Sequence, residues 1–323
     1  MTAMPDIAVI VIGRNEGARL VASLASLQDA VSQIVYVDSG STDDSVQAAR
    51  DAGAIVVELD LTIPFTAARA RNAGFAALDP VPEFVQFMDG DCILEDGWIS
   101  AGLAAMDQNA DMGIVTGWCV ELLPDASVYN GMADFDWRRP SGDIEACGGN
   151  MMVRCSIFED LGGFNPHVIA SEDDEFCIRV GKSGRRVHLL PVAMVKHDSN
   201  MMRFEQWWRR AIRTGHGFAQ VGALHPLYFL RARQRVWFFG AVLPLAALVS
   251  LLLSLWLLVP ILGLYAVSYI RTVWGLRASG LAPRKAFLHS VFLSMSKFPN
   301  LIGMLIYHWR TLRGVDMAII EYK

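Results

Sequence analysis

The sequence predicts an α/β fold, a mostly parallel sheet domain, followed by an α-helical membrane region. Three observations predict it. Short apolar runs alternate with segments of helical spacing along the front of the chain. Of the 323 residues, 53 % are hydrophobic and 19 % charged, more apolar than an ordinary soluble enzyme. Residues 236–270 contain no Asp, Glu, Lys, Arg or His.

Taken in order, "IAVIVI" (7–12), "IVYVD" (34–38), "AIVVELD" (54–60) and "FVQFMD" (84–89) are β-branched or aromatic runs without polar alternation, as strands buried on both faces require. Between them, "EGARLVASLASLQ" and "TDDSVQAARDAG" carry apolar residues at helical spacing, and Gly53 stands where a C-cap is needed. Further on, strands are expected near "MGIVTGWCVEL" and "RRVHLLPVAMVKH", with helices near 153–161, 172–182 and 203–220. Residues 1–230 are expected to form one cytosolic domain, and 231–323 the membrane region.

Residues 236–270 as one helix would be about 52 Å long, against a hydrocarbon core of about 30 Å. Two spans broken near Trp256–Pro260 fit better, a hairpin over about 236–276. Its flanks, Arg231, Arg233 and Arg235 before and Arg271, Arg277, Arg284 and Lys285 after, both belong on the cytoplasmic side. The stretch "AFLHSVFLSMSKFPNLIGMLIYHW", about 286–308, is interrupted by His289, Lys297, Pro299 and His308. It reads as a broken interfacial helix on the bilayer, with a third span as the competing reading.

From Arg231 onward the chain carries 11 Lys/Arg against 2 Asp/Glu; of the total 28 and 33, residues 1–230 keep 17 and 31. An acidic front argues against nucleic-acid binding, and a basic, apolar rear suits membrane lipids of an anionic cytoplasmic leaflet. The five cysteines, Cys92, Cys119, Cys147, Cys155 and Cys177, include no CxxC pair and read as reduced packing residues. No charged-then-apolar leader precedes "IAVIVIG", so the front domain is expected in the cytosol, on a multi-pass protein of the cytoplasmic (inner) membrane.

Ligands of a parallel sheet bind beyond the carboxyl ends of its strands. Here those ends carry Gly13, Arg14, Asn15 and Glu16, then Asp38, then Asp89 and Asp91. Residues two apart in an extended segment point the same way, so Asp89 and Asp91 can present two carboxylates to one object, and Gly90 allows close approach. A hard divalent cation that completes its shell with substrate phosphates is such an object. Capping of the following turn is the alternative.

"VIVIGRNE", "VDSGSTDDS", "ARARNAG", "FMDGDC", "CGGNMMVRCSIFEDLGGFNP" and "SEDDEFCIRVGKSG" occur in that order over about 200 residues. Together they resemble the family 2 glycosyltransferases, nucleotide-sugar enzymes with the Rossmann-like GT-A fold. The resemblance implies a UDP- or GDP-type donor bound by Asn15, Glu16, Asp38, Arg71 and Asp89. It implies Mn²⁺ or Mg²⁺ held by Asp91 and Asp89, with His197 as a third ligand in the manner of some relatives. Gly149 and Asn150 fall in its acceptor-side motifs.

Several of these residues have a second reading. Asp38 can form an Asx-turn over "SGSTD" while it binds a nucleotide. Arg71 offers a fork of donors to a diphosphate, with Arg69 as the competing choice. The run Glu172-Asp173-Asp174-Glu175 should raise at least one carboxyl pKa by mutual repulsion, which suits a general base. Alignment with the family's Glu-Asp-x-Asp-Leu pattern puts that base on Asp173, with Glu172 in reserve; acids in a first helical turn also simply complement the helix dipole. His197 can equally make structural hydrogen bonds. In "FEQWWRRAIRTGHGF", Gln206, Trp207 and Arg209 resemble the acceptor-stacking Gln-x-x-Arg-Trp of processive members, except that Arg210 stands in the Trp position. Anchoring of an amphipathic helix at the interface is the equal alternative.

The expected function is therefore a metal-dependent, inverting transfer of a sugar to a membrane-associated acceptor, a saccharide or a lipid-linked saccharide, in cell-surface polysaccharide or glycolipid synthesis. A sugar nucleotidyltransferase would not need the acid run or the membrane hairpin. A non-catalytic membrane scaffold would not need Asp38, Asp89, Asp91 and Asp173 together.

Overall fold

The structure, a computed structural model, describes residues 6–321. Contacts divide the chain into two units. One runs to Pro124 and includes Ala133–Asn200; the other comprises Asp125–Met132 and the residues from Met201 onward.

The first unit is an α/β sheet domain. In chain order it holds β1 (Ile7–Gly13), α1 (Ala18–Ala25), β2 (Gln33–Asp38), α2 (Ser45–Asp51), β3 (Ile55–Glu58), α3 (Ala67–Ala76), β4 (Phe84–Asp89), β5 (Cys92–Leu94), α4 (Trp98–Gln108) and β6 (Met112–Glu121). After α5 (Val128–Trp137), whose residues are shared by the two units, come β7 (Gly142–Asp143), β8 (Met151–Arg154), α6 (Cys155–Asp160), α7 (Glu172–Lys182) and β9 (Arg186–His197). The strand order is β3-β2-β1-β4-β8-β6-β9-β5, with β7 also on β9. The parallel ladders β3-β2-β1-β4 and β6-β9 supply most of the pairing, and β8 joins the two blocks by antiparallel pairs.

The expected βαβ series is present, and its central strands are buried as their sequences require. Ile7 to Val11, Val35 to Val37, Val85, Phe87 and Met88 lose all contact with solvent. The run over 54–60 behaves differently. Only 55–58 forms a strand, and because β3 is the sheet's edge its Ile55 is 44 % exposed. An edge strand has one lateral neighbour and less cover, which an apolar run does not disclose.

Helices of the second unit are α8 (Phe204–Leu224), α9 (Leu230–Trp237), α10 (Leu243–Leu253), α11 (Leu258–Ala278), α12 (Pro283–Met295) and α13 (Lys297–Arg313). A π-helical turn, Phe238–Val242, runs α9 into α10 just before Pro244, which has no N–H to donate. The stretches Leu230–Leu253 and Leu255–Ala278, 24 residues each, are long and apolar enough to cross a membrane. They separate at Ser254, whose backbone is extended, and Pro260 sits in the first turn of α11, where a missing N–H costs nothing. The later apolar stretch breaks at Ser296 into α12 and α13. Helix α13 meets α8 backbone to backbone: a Cβ on Gly303 would lie 1.9 Å from the Ile212 carbonyl oxygen, and one on Gly215 2.0 Å from that of Asn300. Glycine at both positions is what lets the axes come so close.

Candidate active site

The carboxyl ends of β1, β2 and β4 bring the polar loops to one rim, as a doubly wound sheet dictates. After β1, Asn15 takes a left-handed conformation (φ 56°) and locks onto the next loop: its Oδ1 accepts from Thr42 N at 2.7 Å, and its N donates to Ser41 Oγ at 2.9 Å. Glu16 pairs with Arg19 at 2.7 Å. After β2, Asp38 is buried and accepts from Gly40 N and Ser41 N, both at 2.8 Å, while Tyr36 Oη donates to its other oxygen at 3.1 Å. The Asx-turn is thus formed, and it fixes the loop whose backbone flanks Asn15. Burial, with the neighbouring Asp38 and Glu16 charges, pushes the Tyr36 phenol well above its usual range, so it remains a donor.

Arg71 organises the centre. It lies in α3, one turn past the Thr66 N-cap, and is 2 % exposed. Its Nη1 donates to Glu172 Oε1 at 2.7 Å and its Nη2 to Asp89 Oδ1 at 2.9 Å. The ring of Phe164 lies beneath the guanidinium, 5.5 Å away. Burial alone would disfavour the charge, but Asp89, Glu172 and Asp173 outweigh it and hold Arg71 firmly protonated. Gly149 makes room for this: a Cβ there would stand 2.0 Å from Arg71 Nη2. Its neighbour Asn150 accepts from Asp89 N at 2.9 Å. The competing Arg69 points elsewhere, bonding the carbonyl oxygens of Ile63 and Asp60.

The two aspartates of "DGDC" have different partners. Asp89 belongs to Arg71. Asp91, 4 % exposed, faces His197, whose Nε2 is 3.3 Å from its Oδ1. The antiparallel β5–β9 register pairs Cys92 with His197, so one donor atom each from Asp91, Cys92 and His197 lies within 4.8 Å of the others, all three residues buried. His197 Nδ1 has no hydrogen-bond partner, and the Trp137 ring stands edge-on to the imidazole at 4.8 Å. A carboxylate oxygen and an imidazole nitrogen are a donor pair that fits a divalent transition-metal ion, and the neighbouring sulfur would favour a softer one. Cys92 was read from sequence as packing alone; its direct succession to Asp91 was the available signal, but its nearness to His197 depends on a register between strands far apart in the chain.

Helix α7 begins with the four acids after Ser171, which is left-handed (φ 61°). They separate by role. Glu172 is tied to Arg71, Glu175 pairs with Arg179 at 2.9 Å, and Asp173 accepts from Asp174 N at 2.9 Å without an ion pair among the described residues. Desolvation first, then the charges of Glu172 and Asp174, raise the Asp173 carboxyl well above the ordinary range, with Arg71 opposing. Cys147 and Cys177 lie nearby as free thiols, 3.6 Å apart.

Gln206, Trp207 and Arg209 lie on α8, in the second unit. Gln206 caps the helix, its Oε1 accepting from Met202 N and Arg203 N at 2.9 and 3.0 Å. Trp207 is buried against Tyr129 and Phe292, and Arg209 pairs with Glu205 at the surface.

This sheet, with its acid-tipped strand ends, is a GT-A fold. The same architecture occurs in the mannosyltransferase PcManGT from Pyrobaculum calidifontis in complex with GDP-Man and Mn²⁺, which matches with a TM-score of 0.60 at 18 % identity over 95 % of this chain and 88 % of that one. Residues 8–162 match the model of Glycosyl transferase family 2. Among curated proteins, it is 28 % identical over 242 residues to the pre-mycofactocin glycosyltransferase of Mycobacterium tuberculosis, a match covering 68 % of this chain and 48 % of that protein. The chain thus spans about half the length of that relative. It is 22 % identical over 257 residues to glycosyltransferase AglE of Haloferax volcanii, covering 75 % of this chain and 83 % of that one.

Proposed function

We propose that this protein transfers a sugar, with inversion, from a nucleotide-sugar donor to an acceptor carried at a membrane, a lipid-linked saccharide being the acceptor that suits its apolar second unit. The observation that carries this reading is the Arg71 bridge. By joining Asp89 to Glu172 it sets the strand-end acids and the first turn of α7 at one rim, with Asp173 next to the bridge and without an ion pair of its own among the described residues.

The roles follow from the geometry. Asn15, Glu16, Asp38 and Asp89 lie at the strand ends, where the nucleoside is to be received. Arg71 reaches that place as the cation that pairs with both Asp89 and Glu172. Asp91 and His197 would hold a divalent cation, Mn²⁺ or Mg²⁺, with Cys92 beside them; when bound, that ion offsets the charge of the departing diphosphate. Asp173 takes the proton from the acceptor hydroxyl as the new bond forms at the anomeric carbon and the bond to the diphosphate oxygen breaks. Its raised pKa suits this task, because a base that is too acidic holds the proton weakly. Gly149, Asn150, Gln206, Trp207 and Arg209 are assigned to the acceptor side by family resemblance. The GDP-Man and Mn²⁺ of the Pyrobaculum protein support a nucleotide-sugar donor and a divalent ion.

The two membrane-length stretches, with basic residues at both flanks, support a hairpin whose ends and sheet domain face the cytosol, in a cell-surface polysaccharide or glycolipid pathway. The test is a panel of UDP- and GDP-sugars incubated with the purified full-length protein and membrane lipid extract, with and without chelator. Release of nucleoside diphosphate from one donor, abolished by chelation, is expected. No release from any donor contradicts the reading.

A further inference from the structure

One cavity of about 440 Å³ lies wholly within the second unit, among α8, α9 and α13. That is the size of a small-ligand site, about 300–1,000 Å³. Ala219, Ala223, Trp237 and Met304 supply apolar walls, and Arg233 and His308 bring the polar groups. Arg233 uses one terminal nitrogen on the Pro226 carbonyl oxygen at 2.5 Å; its Nε is buried without a partner, and it has no ion pair among the described residues.

The surrounding charge is one-sided. Residues 206–315 contain 13 Lys/Arg and no Asp or Glu. An occupant that complements both the walls and the field must be an anion with an apolar chain. The cavity also continues onto Phe238 and Val242, in the π-helical turn inside the first membrane-length stretch, so an amphipathic molecule can keep its chain against the later part of that stretch while its head meets Arg233 near its start. We propose that this groove seats one anionic glycerophospholipid, its phosphate at Arg233 and His308 and an acyl chain along Ala223, Trp237 and Met304. The site goes beyond sugar transfer and does not depend on which donor the sheet domain takes.

Native mass spectrometry of the full-length protein released from micelles doped with phosphatidylglycerol or phosphatidylcholine tests this. The wild type should retain one phosphatidylglycerol with a preference of about fivefold or more over phosphatidylcholine, the worth of one charge near a bilayer surface. Arg233→Gln should remove that preference. Ala223→Phe, which fills the groove from an exposed position and leaves the core alone, should lower retention of both lipids. Arg277→Gln, at an exposed site on α11, should change nothing. Equal retention of the two lipids by the wild type, undiminished retention by Ala223→Phe, or an equal loss in Arg277→Gln and Arg233→Gln would each overturn the site.

Discussion

Asp89, at the end of β4, and Glu172, at the start of α7, are held together by one guanidinium, that of Arg71, at 2.9 and 2.7 Å. Two carboxylates drawn to one buried cation satisfy its charge and leave each other's repulsion compensated. Take the cation away and both acids, one of them 5 % exposed, lose that ion pair.

Arg71→Met should therefore destabilise the protein by about 3–5 kcal/mol, the cost of breaking a buried pair by removing one partner. Combining it with Glu172→Gln should recover part of the loss. Thermal melts of the single and double variants check this, and a double variant no better than the single would mean that Glu172 is not what Arg71 neutralises.

Asp173→Asn should leave donor binding near normal and slow transfer by about 10²–10⁴, the usual worth of a general base. Rates measured at saturating donor decide it. If transfer survives within a few-fold, the base lies elsewhere, and Glu172, whose Oε1 already accepts from Arg71, is the next to be examined.

The same substitution has a stability signature. The folded Asp173 pKa is raised, so the native state binds more protons than the unfolded one between the ordinary carboxylate range and the raised value. Stability should fall as pH rises through that window, and the penalty persists above it. At neutral pH, Asp173→Asn removes the penalty and should raise the melting temperature by about 2 °C or more. In activity, the wild-type kcat/KM should show an acid limb with an apparent pKa above the usual carboxylate range, rising with pH as Asp173 loses its proton. A limb at an ordinary carboxylate pKa would contradict the assignment.

Asp91→Ala should abolish metal-dependent donor binding with the fold intact, since a strand-end carboxylate supports the ligand more than the core. Titration calorimetry with UDP or GDP in the presence of Mn²⁺ reads it directly. Unchanged affinity would remove Asp91 and His197 from the metal site.

For topology, single cysteines in a cysteine-free background near Asn130, at Ser279 and after Lys323 should resist a membrane-impermeant thiol reagent in intact cells, and one near Trp256, 83 % exposed beside the Ser254 break, should react. Labelling at Ser279 would mean a single crossing. Labelling only beyond Lys323 would mean that the stretch around α12 and α13 spans.

How far these features could be read in advance depended on how local their causes are. The strands around Val9, Val35 and Phe87 announce themselves because burial on both faces demands an unbroken apolar run. The polar residues that close them, Asn15, Asp38 and Asp89, are equally legible, since a parallel sheet exposes those ends. Partner choice was not. That Arg71 binds the carboxylates of Asp89 and Glu172, and that Cys92 stands beside His197, depend on contacts between distant segments. The short antiparallel strand β8, four residues that join the two parallel blocks, likewise lacks the length that makes a period visible.

The most direct test of sugar transfer follows label from donor to lipid. Membranes containing the wild type, or Asp173→Asn, are given the radiolabelled nucleotide sugar that supports diphosphate release, and the organic-extractable fraction is counted. The account predicts label in that fraction with the wild type, lost on chelation and reduced about 10²–10⁴-fold with Asp173→Asn. Diphosphate released without labelled lipid or saccharide, or equal labelling by the two proteins, would contradict it.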